Sequence, residues 1–228
     1  MEVSLFLRIF FGQLITFPPV PGLLIYVFAL IFGFFVGSLP TTYLLLKWRR
    51  EMDIRNEGTG NVGTMNVYEV TNSRALGIAV LVIDVLKAVA AVLIAREIFG
   101  EGFWTMGVAG LGATLGHNYN PWLGFKGGRG LATTLGVSLV LGWVIAAAWL
   151  LAYATVYAAR KDIHTGNIAA TIVMPVVLAV IPGATMIALV PGAAPLDIVL
   201  LSVCMAILIL LGHFSVISQF FKSSVTHQ

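Results

Sequence analysis

The sequence predicts an all-α integral membrane protein, and its composition is the first observation behind that prediction. Hydrophobic residues make up 59% of the 228 residues, charged residues make up only 10%, and the mean hydropathy is +0.97. A soluble core could not hide this much apolar surface, whereas lipid-facing helices can expose it. A spanning helix takes roughly 20 residues, so the chain has room for about five to seven crossings and no separate soluble domain.

The second observation is the order of apolar runs and helix breakers. The residues 37–40, Gly37-Ser38-Leu39-Pro40, predict a bend in the first run because proline cannot continue the helical hydrogen bonding. A single helix over 131–159 would be about 43 Å long, so two short helices broken near Gly142 are predicted there. The predicted spans are 22–46, 75–95, 103–118, the broken pair over 131–159, 168–190 and 196–212.

The two ends flank one predicted polytopic domain, over residues 22–213. Residues 5–17 are apolar but are interrupted by Arg8 and followed by prolines. This pattern favours an interfacial helix within 1–21 over a cleaved signal peptide. Residues 214–228 are predicted to be a short cytoplasmic tail.

The third observation is that basic residues cluster in three polar loops. The opposite loop near 96–102 holds one arginine and two glutamates. The positive-inside rule therefore places the three loops in the cytoplasm, with the N-terminus outside and the C-terminus inside. The net charge of +3 is small, which indicates membrane orientation, lipid contacts and anionic ligands and argues against nucleic acid. The clustered residues are Lys47, Arg49, Arg50, Arg55, Arg74, Lys126, Arg129, Arg160 and Lys161.

A polar stretch over 53–69 stands out from the apolar chain around it. Its glycines could bring main-chain amides close to a bound anion, which suggests a phosphate-binding loop. Gly58-Thr59-Gly60-Asn61-Val62-Gly63 matches the G-x-G-x-x-G pattern, but a dinucleotide site needs a preceding strand. A glycine-rich membrane turn without a ligand remains the alternative.

A second glycine loop, Lys126-Gly127-Gly128-Arg129-Gly130, directly precedes a predicted helix. Two cations, a flexible backbone and a helix N-terminus suit a phosphate group. The spacing is not that of a P-loop. A basic loop held by lipid headgroups is the alternative.

Other polar residues carry weaker signals. Asp84 and Lys87 share a helix face inside the second span, so we expect a buried pair in the protein interior. His117 could end a helix or contact a ligand, and His164 is expected to be solvated. No catalytic triad, no paired carboxylates and no metal-ligand spacing is found, and the single Cys204 excludes a disulfide. We therefore expect no protein nucleophile, no metal and no cofactor.

Together, two long motifs resemble the signatures of the bacterial acyl-phosphate:glycerol-3-phosphate acyltransferase family. The resemblance covers about residues 30–213 and includes the Asp84-x-x-Lys87 pair. The first motif is Gly37-Ser38-Leu39-Pro40 with Asp53-Ile54-Arg55 and Gly58-Thr59-Gly60-Asn61-Val62-Gly63-Thr64-Met65-Asn66-Val67. The second is Gly116-His117-Asn118-Tyr119 followed by Gly124-Phe125-Lys126-Gly127-Gly128-Arg129-Gly130-Leu131-Ala132-Thr133.

The resemblance implies a seven-helix enzyme in the inner, cytoplasmic membrane, with its active site facing the cytoplasm. Such enzymes transfer an acyl group from acyl-phosphate to the 1-hydroxyl of glycerol 3-phosphate in phospholipid biosynthesis, and they release lysophosphatidate and phosphate. The family is thought to use a substrate phosphate, not a protein nucleophile, to take the proton. Carried over by position, the implied substrate- and phosphate-binding residues are Ser38, Arg55, Gly58, Thr59, Gly60, Asn61, Asn66, His117, Lys126, Gly127, Gly128, Arg129, Asn167 and His213.

Several positions depart from the family pattern. Glu69 stands where the family has an arginine, and a carboxylate repels a phosphate. His164-Thr165-Gly166-Asn167 replaces a segment that usually contains serines, and Val216 replaces an asparagine. These departures leave two alternatives open: a divergent paralogue with another acceptor, or a non-catalytic, transport-like protein that retains a phosphate-binding surface.

Overall fold

The computed structural model describes residues 22–218, so the predicted interfacial segment 1–21 and residues 219–228 of the tail lie outside it. The described chain is helical and contains no β-strand, which confirms the predicted all-α class. Short 3-10 turns lie at Ile54–Asn56 and Pro121–Leu123. The helices are α1 (Gly22–Gly37), α2 (Thr41–Arg50), α3 (Thr64–Thr71), α4 (Arg74–Phe99), α5 (Phe103–Asn118), α6 (Leu131–Leu141), α7 (Trp143–Arg160), α8 (Ile163–Ala179), α9 (Gly183–Leu189) and α10 (Pro195–Gly212).

Four helical segments in the described chain are long and apolar enough to cross a membrane: α1 with α2, α4, α7 and α10. Helices α8 and α9 add a fifth crossing if they are counted as one broken span. These numbers confirm a multi-pass membrane protein. The count of seven implied by the resemblance stays a prediction.

Both helix breaks predicted from glycine and proline are confirmed. Helix α1 ends at Gly37 and α2 begins at Thr41, directly after Pro40. Gly142 separates α6 from α7, so the long apolar run is indeed two helices.

The predicted span over 168–190 is broken by a sharp bend. Helix α8 ends at Ala179, and α9 leaves it at an angle of 110°. Pro182 lies in this connection, and proline has no amide hydrogen with which to continue a helix. The bend brings α9 against the core, where Met186 is buried.

Helices α1 and α5 pack with almost no side chain between them. A Cβ atom added to Gly33 or Gly37 would overlap the backbone of Ala109 or Ala113 on α5. A Cβ atom on Gly116 of α5 would in turn overlap the backbone of α1. Small residues allow such close approach of membrane helices. The contact fixes the C-terminal end of α5, which carries His117, beside the polar loops.

The apolar interior lies between α4, α6, α7, α8 and α10. Its side chains include Leu141, Ile145, Leu178 and Ile198, all at most 5% exposed. By contrast, Leu151 on the outer face of α7 is 71% exposed. Large exposed apolar side chains of this kind are typical of a surface that faces lipid.

Candidate functional site

The two glycine loops meet directly, as expected if they share one face of the membrane. The Val62 N–H donates to the Gly127 carbonyl at 3.3 Å, and the Gly128 N–H donates to the His117 carbonyl at 3.0 Å. The first loop is thereby joined to the second, and the second to the end of α5.

Asn66 organises the first loop. Its Nδ2 donates to the carbonyls of Glu57 at 3.1 Å and Asn61 at 2.8 Å, while its Oδ1 accepts from the Thr59 N–H at 2.9 Å. Gly58 and Gly60 have φ values of 56° and 71°, which favour glycine. A buried amide side chain therefore holds the turn from within.

The glycine-rich turn over residues 59–63 does not present free main-chain amides to a ligand. The Thr59 amide is taken by Asn66, the Gly60 N–H donates to Glu57 at 2.9 Å, and Val62 donates to Gly127. The Gly63 N–H donates to Oδ1 of Asn61 at 2.8 Å, and the Asn61 N–H lies 3.4 Å from the Thr59 hydroxyl. The amides of residues 59–63 thus all have partners within the protein. The amides of Thr64 and Met65, in the first turn of α3 and at the cavity, do not belong to this set.

The second loop packs around His117. A Cβ atom on Gly128 would overlap the imidazole, and one on Gly127 would overlap the His117 carbonyl. Glycine is therefore required at both positions by close packing. Lys126 is exposed and does not line the cavity described below, whereas Arg129 does.

Asp84 and Lys87 form the predicted buried pair, and His117 joins it. Lys87 Nζ lies 2.7 Å from Asp84 Oδ1 and 3.0 Å from His117 Nδ1. His117 Nδ1 is 3.5 Å from the same carboxylate oxygen. All three side chains are at most 8% exposed. An ammonium group can only donate, so His117 Nδ1 accepts from it and the imidazole proton is assigned to Nε2.

A cavity of about 470 Å³ opens beside these loops and has two chemically distinct parts. The polar part is lined by Thr59, Asn61, Asn66, Glu69, Asp84, His117, Arg129, His164 and Asn167. The apolar part runs between α6, α7, α8 and α10 and is lined by Leu135, Ile145, Ala146, Trp149, Leu150, Met174, Met205 and Ile209. We call the second part the apolar chamber.

His164 is not a solvated residue, contrary to the expectation from sequence. Its Nδ1 lies 3.3 Å from Nη1 of Arg129, and both residues are partly buried at the cavity. Burial lowers the pKa of Arg129, and the charge of Glu69 opposes that shift. Asp162, which precedes α8, accepts from the Thr165 N–H at 2.7 Å and caps the helix that carries His164.

The cavity brings together only some of the residues implied by the family resemblance. Thr59, Asn61, Asn66, His117, Arg129 and Asn167 line it. Those that do not line it are Ser38, Arg55, Gly58, Gly60, Lys126, Gly127, Gly128 and His213. The role of each residue in substrate binding stays a prediction.

Two of the residues outside the cavity have clear structural partners. Arg55 forms a bidentate pair with Asp53 at 2.9 and 2.6 Å and holds the pKa of that carboxyl at about 2. Ser38 is fully buried, its hydroxyl donates to the Phe35 carbonyl, and its own carbonyl accepts from Asn120 at 2.7 Å.

His213 follows α10 and is fully buried. Its Nδ1 lies 2.8 Å from the Ile209 carbonyl, and its Nε2 has no partner among the described residues. Because a carbonyl only accepts, Nδ1 carries the proton. Burial lowers the pKa of His213 to about 4, so the imidazole is neutral at pH 7.

Sequence reasoning missed the apolar chamber. The rings of Trp149 and Tyr153 stack with centroids 5.2 Å apart, and both residues line the cavity. Their i, i+4 spacing on α7 was a usable signal for a shared helix face. Arg74, five residues after Glu69 in the sequence, does not line the cavity. Within residues 22–218, no three metal-ligating side chains converge.

The chain matches one family model and several relatives of known family. The family model described as glycerol-3-phosphate acyltransferase matches residues 27–223. A glycerol-3-phosphate acyltransferase of Mesorhizobium japonicum is 39% identical over 153 residues, which is 67% of this chain and 76% of that protein. Glycerol-3-phosphate acyltransferase 5 of Dehalococcoides mccartyi is 44% identical over 118 residues, and this match spans 50% of that relative's length.

Two solved structures share the fold. Both are crystal structures of PlsY, described as an integral membrane glycerol 3-phosphate acyltransferase, in glycerol 3-phosphate and lysophosphatidic acid forms. Each superposes with a TM-score of 0.69 over 87% of this chain and 92% of the other. The sequence identities are 28% and 27%.

Proposed function

The chain belongs to the glycerol-3-phosphate acyltransferase family, and on this basis we propose that it transfers a fatty acyl group from acyl-phosphate to the 1-hydroxyl of glycerol 3-phosphate. The products are lysophosphatidate and inorganic phosphate. The enzyme acts as a multi-pass membrane protein in phospholipid biosynthesis.

The single observation that carries this proposal is the two-part cavity. An acyl-phosphate is an apolar chain with a charged head, and the cavity joins an apolar chamber to a polar mouth. Burial of methylene groups in the chamber stabilises the bound donor, at about 0.8 kcal/mol for each CH₂. Arg129 lies in the polar part, where its guanidinium can bind a phosphate in bidentate geometry.

The reaction needs no acyl-enzyme intermediate. The hydroxyl oxygen of the acceptor attacks the acyl carbonyl carbon, the bond from that carbon to the phosphate oxygen breaks, and the hydroxyl proton leaves on the phosphate. Among the described residues that line the cavity, no serine or threonine hydroxyl is hydrogen-bonded to a histidine or carboxylate. This supports catalysis by positioning two substrates and stabilising developing charge.

The proposed site faces the cytoplasm, in the inner membrane. Basic residues in three loops support this orientation by the positive-inside rule. Two contacts support a common face for the loops: Val62 with Gly127, and Arg129 with His164.

The test is release of inorganic phosphate by purified protein from palmitoyl phosphate, with and without glycerol 3-phosphate. We expect release that depends on glycerol 3-phosphate, with lysophosphatidate formed in equal amount. No release under either condition would reject the enzyme class. Release that requires a different phosphate-bearing alcohol would keep the enzyme class and reject the acceptor, a result that Glu69 in the polar mouth would explain.

A further inference from the structure

Two cavity residues near Arg129 would affect its positive charge in opposite ways. Glu69 on α3 and His164 on α8 both line the cavity with it. His164 Nδ1 is 3.3 Å from Arg129 Nη1, whereas no ion pair joins Arg129 to a carboxylate within residues 22–218. The guanidinium is thus held by a histidine although a carboxylate shares the same cavity.

The hydrogen-bonding properties of guanidinium and imidazole determine the direction of the contact between Arg129 and His164. A guanidinium group only donates hydrogen bonds, so Nδ1 of His164 accepts, and the proton of the neutral ring is assigned to Nε2. A neutral imidazole orients the guanidinium without cancelling its charge. A paired Glu69 carboxylate would cancel that charge and occupy the donors that a phosphate requires.

We propose that His164 is a positioning residue that holds Arg129 toward a phosphate-bearing substrate and away from Glu69. Arginine has many rotamers, and fixing one before binding removes part of the entropy cost of ordering it. The identity of the substrate rests on the proposed function, while the effect on phosphate binding can be measured without turnover. Asp162 and His213 are also titratable and interact with His164; Asp162 forms no ion pair with Arg129 among the described residues, and His213 carries no negative charge.

Three substitutions at one position separate hydrogen bonding from packing. His164→Asn places an amide oxygen near the position of Nδ1 and can still accept from Arg129. His164→Gln places its amide near Nε2, and His164→Leu retains bulk without an acceptor. Because a hydrogen bond to a charged group is lost, His164→Leu should raise the KM for one phosphate substrate about 10-fold or more, with a smaller change in kcat. The His164→Asn enzyme should recover most of this loss, and His164→Gln should not.

The substrate that responds identifies the phosphate. KM is measured separately for glycerol 3-phosphate and for palmitoyl phosphate, and an increase confined to one assigns Arg129 to that substrate. Equal KM values for the Asn, Gln and Leu variants would overturn the proposal, because a packing role does not distinguish the position of an acceptor atom.

A double substitution tests the role of Glu69. If His164 keeps Arg129 from the carboxylate, then Glu69→Gln should restore most of the affinity that His164→Leu removes. Additive effects of the two substitutions would reject this part of the proposal.

Phosphate binding can be measured without acyl transfer, so it tests the inference independently of the proposed activity. Inorganic phosphate should raise the thermal unfolding temperature of the purified protein in detergent, and His164→Leu should weaken this stabilisation about 10-fold in apparent affinity. If the wild-type protein binds phosphate but transfers no acyl group, the proposed function fails while the inference stands. If the substitution leaves phosphate affinity and both KM values unchanged, the inference fails.

Discussion

Lys87 Nζ lies 3.0 Å from Nδ1 of His117, and this contact joins a charged pair within α4 to the end of α5. The pair is nearly inaccessible, with the Asp84 side chain 1% and the Lys87 side chain 7% exposed. A buried charge is tolerated when it is paired, and here the ammonium has two partners from two helices. The same contact leaves Nε2 of His117 as the protonated ring nitrogen, so His117 can act as a hydrogen-bond donor and not as a base through Nδ1.

Substitution of Lys87 tests whether the buried pair is structural. We expect Lys87→Met to destabilise the protein by about 3–5 kcal/mol, because Asp84 then remains as an uncompensated buried charge. The double variant Asp84→Asn, Lys87→Met should recover much of that loss. Thermal unfolding in detergent measures both effects. A double variant no more stable than the single one would show that the pair is not the source of the loss.

Substitution of Arg129 tests the phosphate site. Arg129→Ala should lower kcat/KM by about 10- to 150-fold, since charge-assisted hydrogen bonds in a partly buried site are lost. Arg74→Ala is the matched control, because Arg74 is exposed and does not line the cavity. Initial rates of phosphate release measure both variants. Full activity in Arg129→Ala would remove the second glycine loop from the proposed mechanism.

Substitution of Glu69 tests the main departure from the family pattern. Glu69→Arg replaces a group that repels phosphate with one that binds it, so KM for glycerol 3-phosphate should fall about 10-fold. The measurement is the dependence of the initial rate on the acceptor concentration. An unchanged or higher KM would show that the site of this chain is built around the acid.

Substitution of Ser138 tests the apolar chamber as the acyl site. Ser138 on α6 also lines the cavity, one turn after the chamber residue Leu135, and is 2% exposed, whereas the next residue, Leu139, is 56% exposed on the outer face of α6. Ser138→Met should weaken binding of long acyl-phosphates by about fourfold for each methylene that it excludes. Leu139→Met adds the same side chain outside the chamber and should not change chain-length preference. KM measured over a series of acyl-phosphates compares the two.

Acidification should destabilise the fold through His213. The pKa of His213 is about 4 in the folded protein and 6.5 when the side chain is not buried. Between these two pH values the unfolded chain therefore binds a proton more readily than the folded protein does. The stabilising contribution of the neutral ring is therefore complete above pH 6.5 and is lost as the pH falls toward 4. His213→Gln should show a smaller decrease in unfolding temperature over this range. An identical pH dependence in both proteins would assign the effect to other groups.

The sequence by itself determined the features that depend on local chemistry. Composition and hydropathy determined the membrane class, Pro40 and Gly142 determined two helix breaks, and the cost of burying charge in lipid determined that Asp84 and Lys87 would pair inside the protein. Each of these signals acts within a few residues or along one helix face. The glycine motifs predicted two polar loops, and these loops meet through the Val62 N–H and the Gly127 carbonyl.

Only the tertiary structure decided which side chains meet. His164 contacts Arg129 across 35 residues of sequence, and His117 contacts Lys87 across 30. Asn66 takes the Thr59 amide that the glycine pattern had suggested for an anion. These contacts depend on how close neighbouring helices approach, and that distance is set by packing over several helices at once. The apolar chamber has the same origin, since its wall is shared by four helices and the spacing of Trp149 and Tyr153 marks only one of them.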